Sequence, residues 1–132
     1  MSEVLDQVRD YVLELGLGIE REIPEEEILI VRDEDRAINH LVVDCEDTVL
    51  VIEQLILRLP VEASEGIYKR LLQMNRDLVY GAFVLDETGQ TVLYRNTLAL
   101  ENLDLNELES TLNALSLGLA ENGDELLTFA GG

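Results

Sequence analysis

Hydrophobic positions along the chain change period several times, and each change marks an element. Val4, Leu5, Val8, Tyr11, Val12 and Leu15 recur at helical spacing, so the sequence opens with an amphipathic helix capped by Ser2 and ended by Gly16. Gly18 to Pro24 then reads as a connector or a short edge strand. Ile28 to Arg32 and Ala37 to Asp44 flank the turn-rich Asp33-Glu34-Asp35 and predict a β-hairpin. After a turn at Glu46-Asp47-Thr48, the run Val49 to Leu59 is rich in Val and Ile and stops at Pro60, which favours a strand over a helix. At period two its Val49, Val51, Leu55, Leu57 and Leu59 point one way and Leu50, Ile52 and Ile56 the other. Both sheet faces are therefore partly apolar. One takes the helices; the second needs another copy, a ligand chain or a helix that wraps round.

The second helix is predicted over Ser64 to Val79. On a wheel of about 100° per residue, Met74, Ile67, Leu78, Leu71, Asn75, Tyr68, Val79 and Leu72 fill one sector of about 160°. A helix lying on a single sheet needs only about 100°, so this one has apolar surface to spare. Either it is buried on both sides within one subunit or it meets a second copy, closed two-fold dimers being the commonest oligomers. Tyr68, Leu72, Asn75 and Val79 are the residues assigned to that dimer interface. An amide inside the apolar sector costs about 1–3 kcal/mol if left unpaired. Asn75 therefore requires a definite hydrogen-bond partner, its own copy across a symmetric interface being one candidate.

A hairpin follows, in which Gly89 closes the turn between Phe83-Val84-Leu85-Asp86 and Thr91-Val92-Leu93-Tyr94. Asp104-Leu105-Asn106-Glu107 resembles a capping box and opens a last helix. Leu105, Leu108, Leu112, Leu115 and Leu119 form its narrow seam, Gly123 is its expected end, and Leu126, Leu127 and Phe129 add a turn. The fold class is α+β: an antiparallel sheet with helices packed on it, in the order αβββαββα, with room for an extra edge strand. Residues 1–132 are read as one domain, long enough to bury a core without a staple.

Charge and chemistry narrow the function. Nine basic residues against 28 acidic ones give a net charge of −19, which repels nucleic acid and anionic membranes, and 47% hydrophobic content argues against disorder. After Arg95 there is no basic residue, so the acidic last third is either a solvated face or a lure for a basic partner. The acidic N-terminal stretch is unlike a signal peptide and no apolar run reaches membrane length, which points to the cytoplasm. Cys45 is the single cysteine and His40 the single histidine. Five residues apart on one strand, they face opposite ways and make no dyad. Neither a calcium loop, nor a phosphate-binding glycine motif, nor a nucleophile elbow is present, so no enzyme, cofactor or metal is expected.

The segment from Leu57 to Leu115 resembles the bacterial type III secretion chaperone (Tir chaperone-like) and YbjN-like superfamily. The shared pattern is a helix with Leu72, Asn75 and Leu78, a hairpin with Phe83, Leu85, Asp86, Gly89, Val92 and Tyr94, and the leucine-rich helix over Leu103 to Leu115. The resemblance implies a small, acidic, cytoplasmic homodimer with its middle helix at the interface. For the secretion chaperones it further implies apolar patches that hold an extended client without ATP. No catalytic residue carries over. The function expected is an ATP-independent, chaperone-like protein-binding module; the alternative is a YbjN-like regulatory or structural adaptor that self-associates and has no client.

Overall fold

The computed structural model describes residues 3–130; the Ser2 cap and the terminal Gly131 and Gly132 lie outside them. The elements are α1 (Glu3–Glu14), β1 (Gly18–Ile23), β2 (Ile28–Asp33), β3 (Ile38–Glu46), β4 (Val49–Arg58), α2 (Glu65–Asn75), β5 (Ala82–Leu85), β6 (Thr91–Ala99) and α3 (Leu105–Ala130). The order is the one read from the sequence with Gly18–Ile23 resolved as the extra edge strand. The six strands form one antiparallel sheet in the order β1-β2-β3-β4-β6-β5.

Turn chemistry sets the ends of the strands. α1 stops at Gly16, which takes φ +84° while the Leu17 N–H reaches back to the Val12 carbonyl at 3.1 Å. Single 3-10 turns at Pro24–Glu26 and Glu34–Arg36 join β1 to β2 and β2 to β3, each closed by a left-handed residue, Glu27 or Ala37. At the second, the Asp33 carboxylate accepts from the Asp35 N–H, the local bond that makes Asp a turn former.

All three helices lie on one face of the sheet. Leu5, Val8 and Val12 of α1 and Leu108, Leu112 and Leu115 of α3 pack on Leu29, Val31, Leu41, Val43, Leu50, Ile52 and Tyr94. A second cluster joins Leu71 and Met74 of α2 to Leu126 and Phe129 of α3 over Leu57, Phe83 and Val92. This second cluster explains why α3 does not end at Gly123, as the sequence suggested. A mid-helix glycine costs about 1 kcal/mol, whereas burying Leu126 and Phe129 returns about 1.5–3 kcal/mol each.

β4 departs from strict alternation. Leu50, Ile52 and Gln54 pair with Leu98, Asn96 and Tyr94, but the register shifts between Leu55 and Leu57, and Leu57 then pairs with Val92. A bulge adds one residue to one strand and reverses the phase beyond it. Leu57 and Leu59 thereby join Leu50 and Ile52 on the helix side, not Val49 and Val51 as simple alternation would have it. The opposite face carries no helix from either cluster and is open.

Candidate protein-binding surface

α2 turns Leu71 and Met74 into the core and leaves Tyr68 half-buried and Leu72 72% exposed. The helix is one turn shorter than its apolar pattern. The N–H groups of Arg76, Asp77 and Leu78 bond the carbonyls of Gln73, Met74 and Asn75, three residues back, which tightens the chain out of the α-helix. It then has to reverse toward β5, and Gly81 supplies φ +75° against the face of Tyr94. The Tyr94 hydroxyl donates to the Tyr80 carbonyl at 2.7 Å and locks this corner. Val79 is thrown outward, 82% exposed.

Asn75 has the definite partner its position demanded, and it is intramolecular. The Phe83 N–H donates to Asn75 Oδ1 at 2.7 Å, and Asn75 Nδ2 donates to the Phe83 carbonyl at 3.1 Å. A matching bond to a second Asn75 is therefore not needed, because both ends of the amide are used at home.

Of the four residues assigned to the interface, Tyr68 and Leu72 line one groove with Leu71, Phe83, Val84 and Leu85, about 320 Å³ in volume and free of charged side chains. Asn75 is fastened to Phe83 at the back of that groove. Val79 stands apart, at a smaller hollow with Asp77, Leu117 and Glu121. Sequence reasoning missed Leu85, which is 41% exposed beside Leu72. Its signal was present in the short apolar run before Asp86, but only the strand order shows that this run is a sheet edge.

The open face of the sheet is the second surface and is only partly apolar: Leu55 is exposed there, while Ile30 and Val51 are buried. Cross-strand rows there run Ile28, Asp44, Val51, Thr97 and Ile30, Val42, Glu53, Arg95, with Leu55, Leu93 and Val84 at the β5 end. Arg95 and Glu53 pair at 3.2 Å across it. Burial first, and then the Glu46 carboxylate, push the Asp44 carboxyl above its usual range. Between β3 and β4, beyond Val42 and Glu53 where their ladder ends, a cleft of about 640 Å³ is lined by Glu20, Arg32, Gln54, Leu55, Ile56 and Leu119 among others. Gln54 spans it, accepting from the Asn39 N–H at 3.0 Å and donating to the Ala37 carbonyl at 3.1 Å.

His40 and Cys45 stay apart. His40 is exposed beside Glu20 at 3.7 Å, while Cys45 is buried and desolvation pushes its thiol up to about 11, unfit for a nucleophile at neutral pH. Among the described residues, no three His, Cys, Asp or Glu side chains are grouped to hold a metal ion, and no helix is long and apolar enough to cross a membrane.

The sequence profile of the CesT_Tir_1 family matches residues 1–131. The chain belongs to this family, the type III chaperone family. Among solved structures, YbjN from E. coli is similar over 92% of both chains at 14% identity and a TM-score of 0.71. An uncharacterized protein from Methanothermobacter thermautotrophicus is similar over 96% of this chain and 99% of its own, at 12% identity and 0.70. The Yersinia pestis type III secretion chaperone SycH, solved with a stable fragment of YscM2, is similar over 96% and 98%, at 16% identity and 0.55. At these identities the likeness is one of fold. No protein of curated function matches the sequence significantly. The family member described here thus has the secretion-chaperone fold, with an apolar groove and a partly apolar face on different sides of its sheet.

Proposed function

We propose that this chain is an ATP-independent, chaperone-like protein-binding module that works as a homodimer and holds an apolar or amphipathic segment of a partner protein. One observation carries the reading: apolar surface lies uncovered on both sides of the sheet, at the α2–β5 groove around Leu72 and on the open face around Leu55 and the half-buried Leu93. An interface with a second copy through Tyr68, Leu72, Asn75 and Val79 uses the helix side. It leaves the sheet face free for a client. Asn75 contributes shape there, since its amide is already bonded. The net charge of −19 keeps such a complex soluble. SycH, of the same fold, was solved with a partner fragment, which supports a protein client.

Light scattering tests the dimer. The expected mass is about twice 14.8 kDa, and a monomer at every concentration refutes it. Leu72→Asp should split the dimer, because an unpaired charge in an interface costs about 3–5 kcal/mol; unchanged mass counts against the assigned surface. Hydrogen exchange with a bound partner separates client binding from the adaptor alternative. Protection spreading over β4 and β6 supports a client, and protection confined to α2 supports self-association alone.

A further inference from the structure

Among the described residues, β5 closes one end of the sheet and pairs only with β6. In an antiparallel strand, successive residues direct their N–H and C=O groups alternately toward one neighbour and the other. Phe83 directs its pair away from β6, because both groups bond the Asn75 side chain. Leu85, two residues on, has the same orientation. These are the two residues through which another strand can add to the four-residue edge Ala82–Leu85.

An apolar edge of this kind is a template for sheet continuation unless something blocks it. The opposite edge, β1, is blocked in an ordinary way: Glu20, Arg21 and Glu22 are exposed there, and its register breaks between Ile19 and Arg21. β5 has neither charge nor break, and the apolar groove of Tyr68 and Leu72 lies beside it. We infer that Asn75 is the guard of this edge: its amide stands where a neighbouring strand would stand at Phe83, and so prevents copies of the chain from joining β5 to β5. Asn suits the task because one carboxamide offers a donor and an acceptor at the separation of a backbone C=O and N–H. Asp would meet the Phe83 carbonyl with a second acceptor, and Ser is too short to reach both groups. Gln54 bridges backbone in the same manner where the β3–β4 ladder stops, but it is buried inside the sheet. Asn75 is at the rim, where its removal opens a surface.

The test uses the full chain with Asn75→Ala. The Phe83 amide should exchange about ten-fold faster than in the wild type, the loss expected for one hydrogen bond. Light scattering should show mass growing with concentration beyond the wild-type species, with an infrared band of intermolecular strands. Adding Leu85→Lys, which places a charge on the same edge, should abolish that growth and leave a mass no larger than the wild type's, whether or not the charge also weakens the groove that Leu85 lines. A folded Asn75→Ala variant that keeps the wild-type mass overturns the inference, and so does growth that Leu85→Lys does not suppress, since assembly then runs through another surface. If the alanine variant fails to fold, Asn75→Ser is read with the same two criteria. The outcome is independent of the proposed dimer: a monomeric wild type refutes that dimer and leaves the change from wild type to variant to be read.

Discussion

Gly81→Ala tests the corner that ends α2 and aims β5. Gly81 has φ +75°, and a Cβ built on it falls 2.5 Å from Cζ and 2.8 Å from Cε1 of Tyr94. Two costs add. A left-handed backbone costs an L-residue about 1–2 kcal/mol, and forcing a carbon into a packed ring costs about 1–3 kcal/mol more. The ring has little room to yield: Tyr94 is fully buried, its hydroxyl is bonded to the Tyr80 carbonyl, and its ring makes a T-shaped contact with that of Phe83, centroids 6.5 Å apart. The expected loss is about 2–5 kcal/mol, a large part of the total stability of a domain of this size, about 5–15 kcal/mol. Urea unfolding followed by circular dichroism should show a lower midpoint at unchanged slope. Repeating the substitution in a Tyr94→Leu background separates the two costs. The clash is shared between the positions and should disappear as a coupling of about 1–3 kcal/mol, leaving the backbone term. A Gly81→Ala variant within about 0.5 kcal/mol of wild type, or one whose cost is the same in both backgrounds, refutes this account of the corner.

Two further outcomes follow from the same coordinates. Gly123→Ala should stabilise by about 0.5–1 kcal/mol, because Gly123 lies inside α3 with nothing within 4 Å of the added Cβ; a lower urea midpoint would contradict it. Burial pushes the Cys45 thiol from 9.0 up to about 11 and the Tyr94 phenol from 10.0 up to about 12. Above those ordinary values the unfolded chain loses its protons before the folded one does. Stability should therefore hold up to about pH 9 and fall between about pH 9 and 12. A Cys45→Ala, Tyr94→Phe double variant should lose most of that slope, and a slope equal to wild type would refute the assignment.

Much of the candidate surface was legible without coordinates. The wide apolar sector of α2 singled out Tyr68 and Leu72, and both line the groove. The demand of a carboxamide among apolar neighbours gave Asn75 a definite partner, though not which one. Val79 shares their apolar sector only if the helical period runs past Asn75; α2 ends there, and Val79 lies at a different hollow beside Leu117. Leu85 has no such local signal, because nothing in a short stretch marks a strand as the last in its sheet.

By itself the sequence determined the types of the elements and most of their turns: the helix stop at Gly16, the Asp33 turn, the hairpin at Gly89, the Leu108-Leu112-Leu115 seam. These depend on period and on bonds between residues a few positions apart, which one stretch of chain contains in full. Tertiary structure decided the end of α2, the run of α3 through Gly123, the phase reversal within β4, the partner of Asn75 and the uncovered face of the sheet. Each of these is settled by a contact whose other half lies elsewhere in the chain. Phe83 takes the amide of Asn75, Tyr94 fixes the corner at Gly81, and Leu71 and Met74 hold Leu126 and Phe129 in the helix. Local periodicity carries no record of such partners, because they become neighbours only when the sheet and its helices have come together.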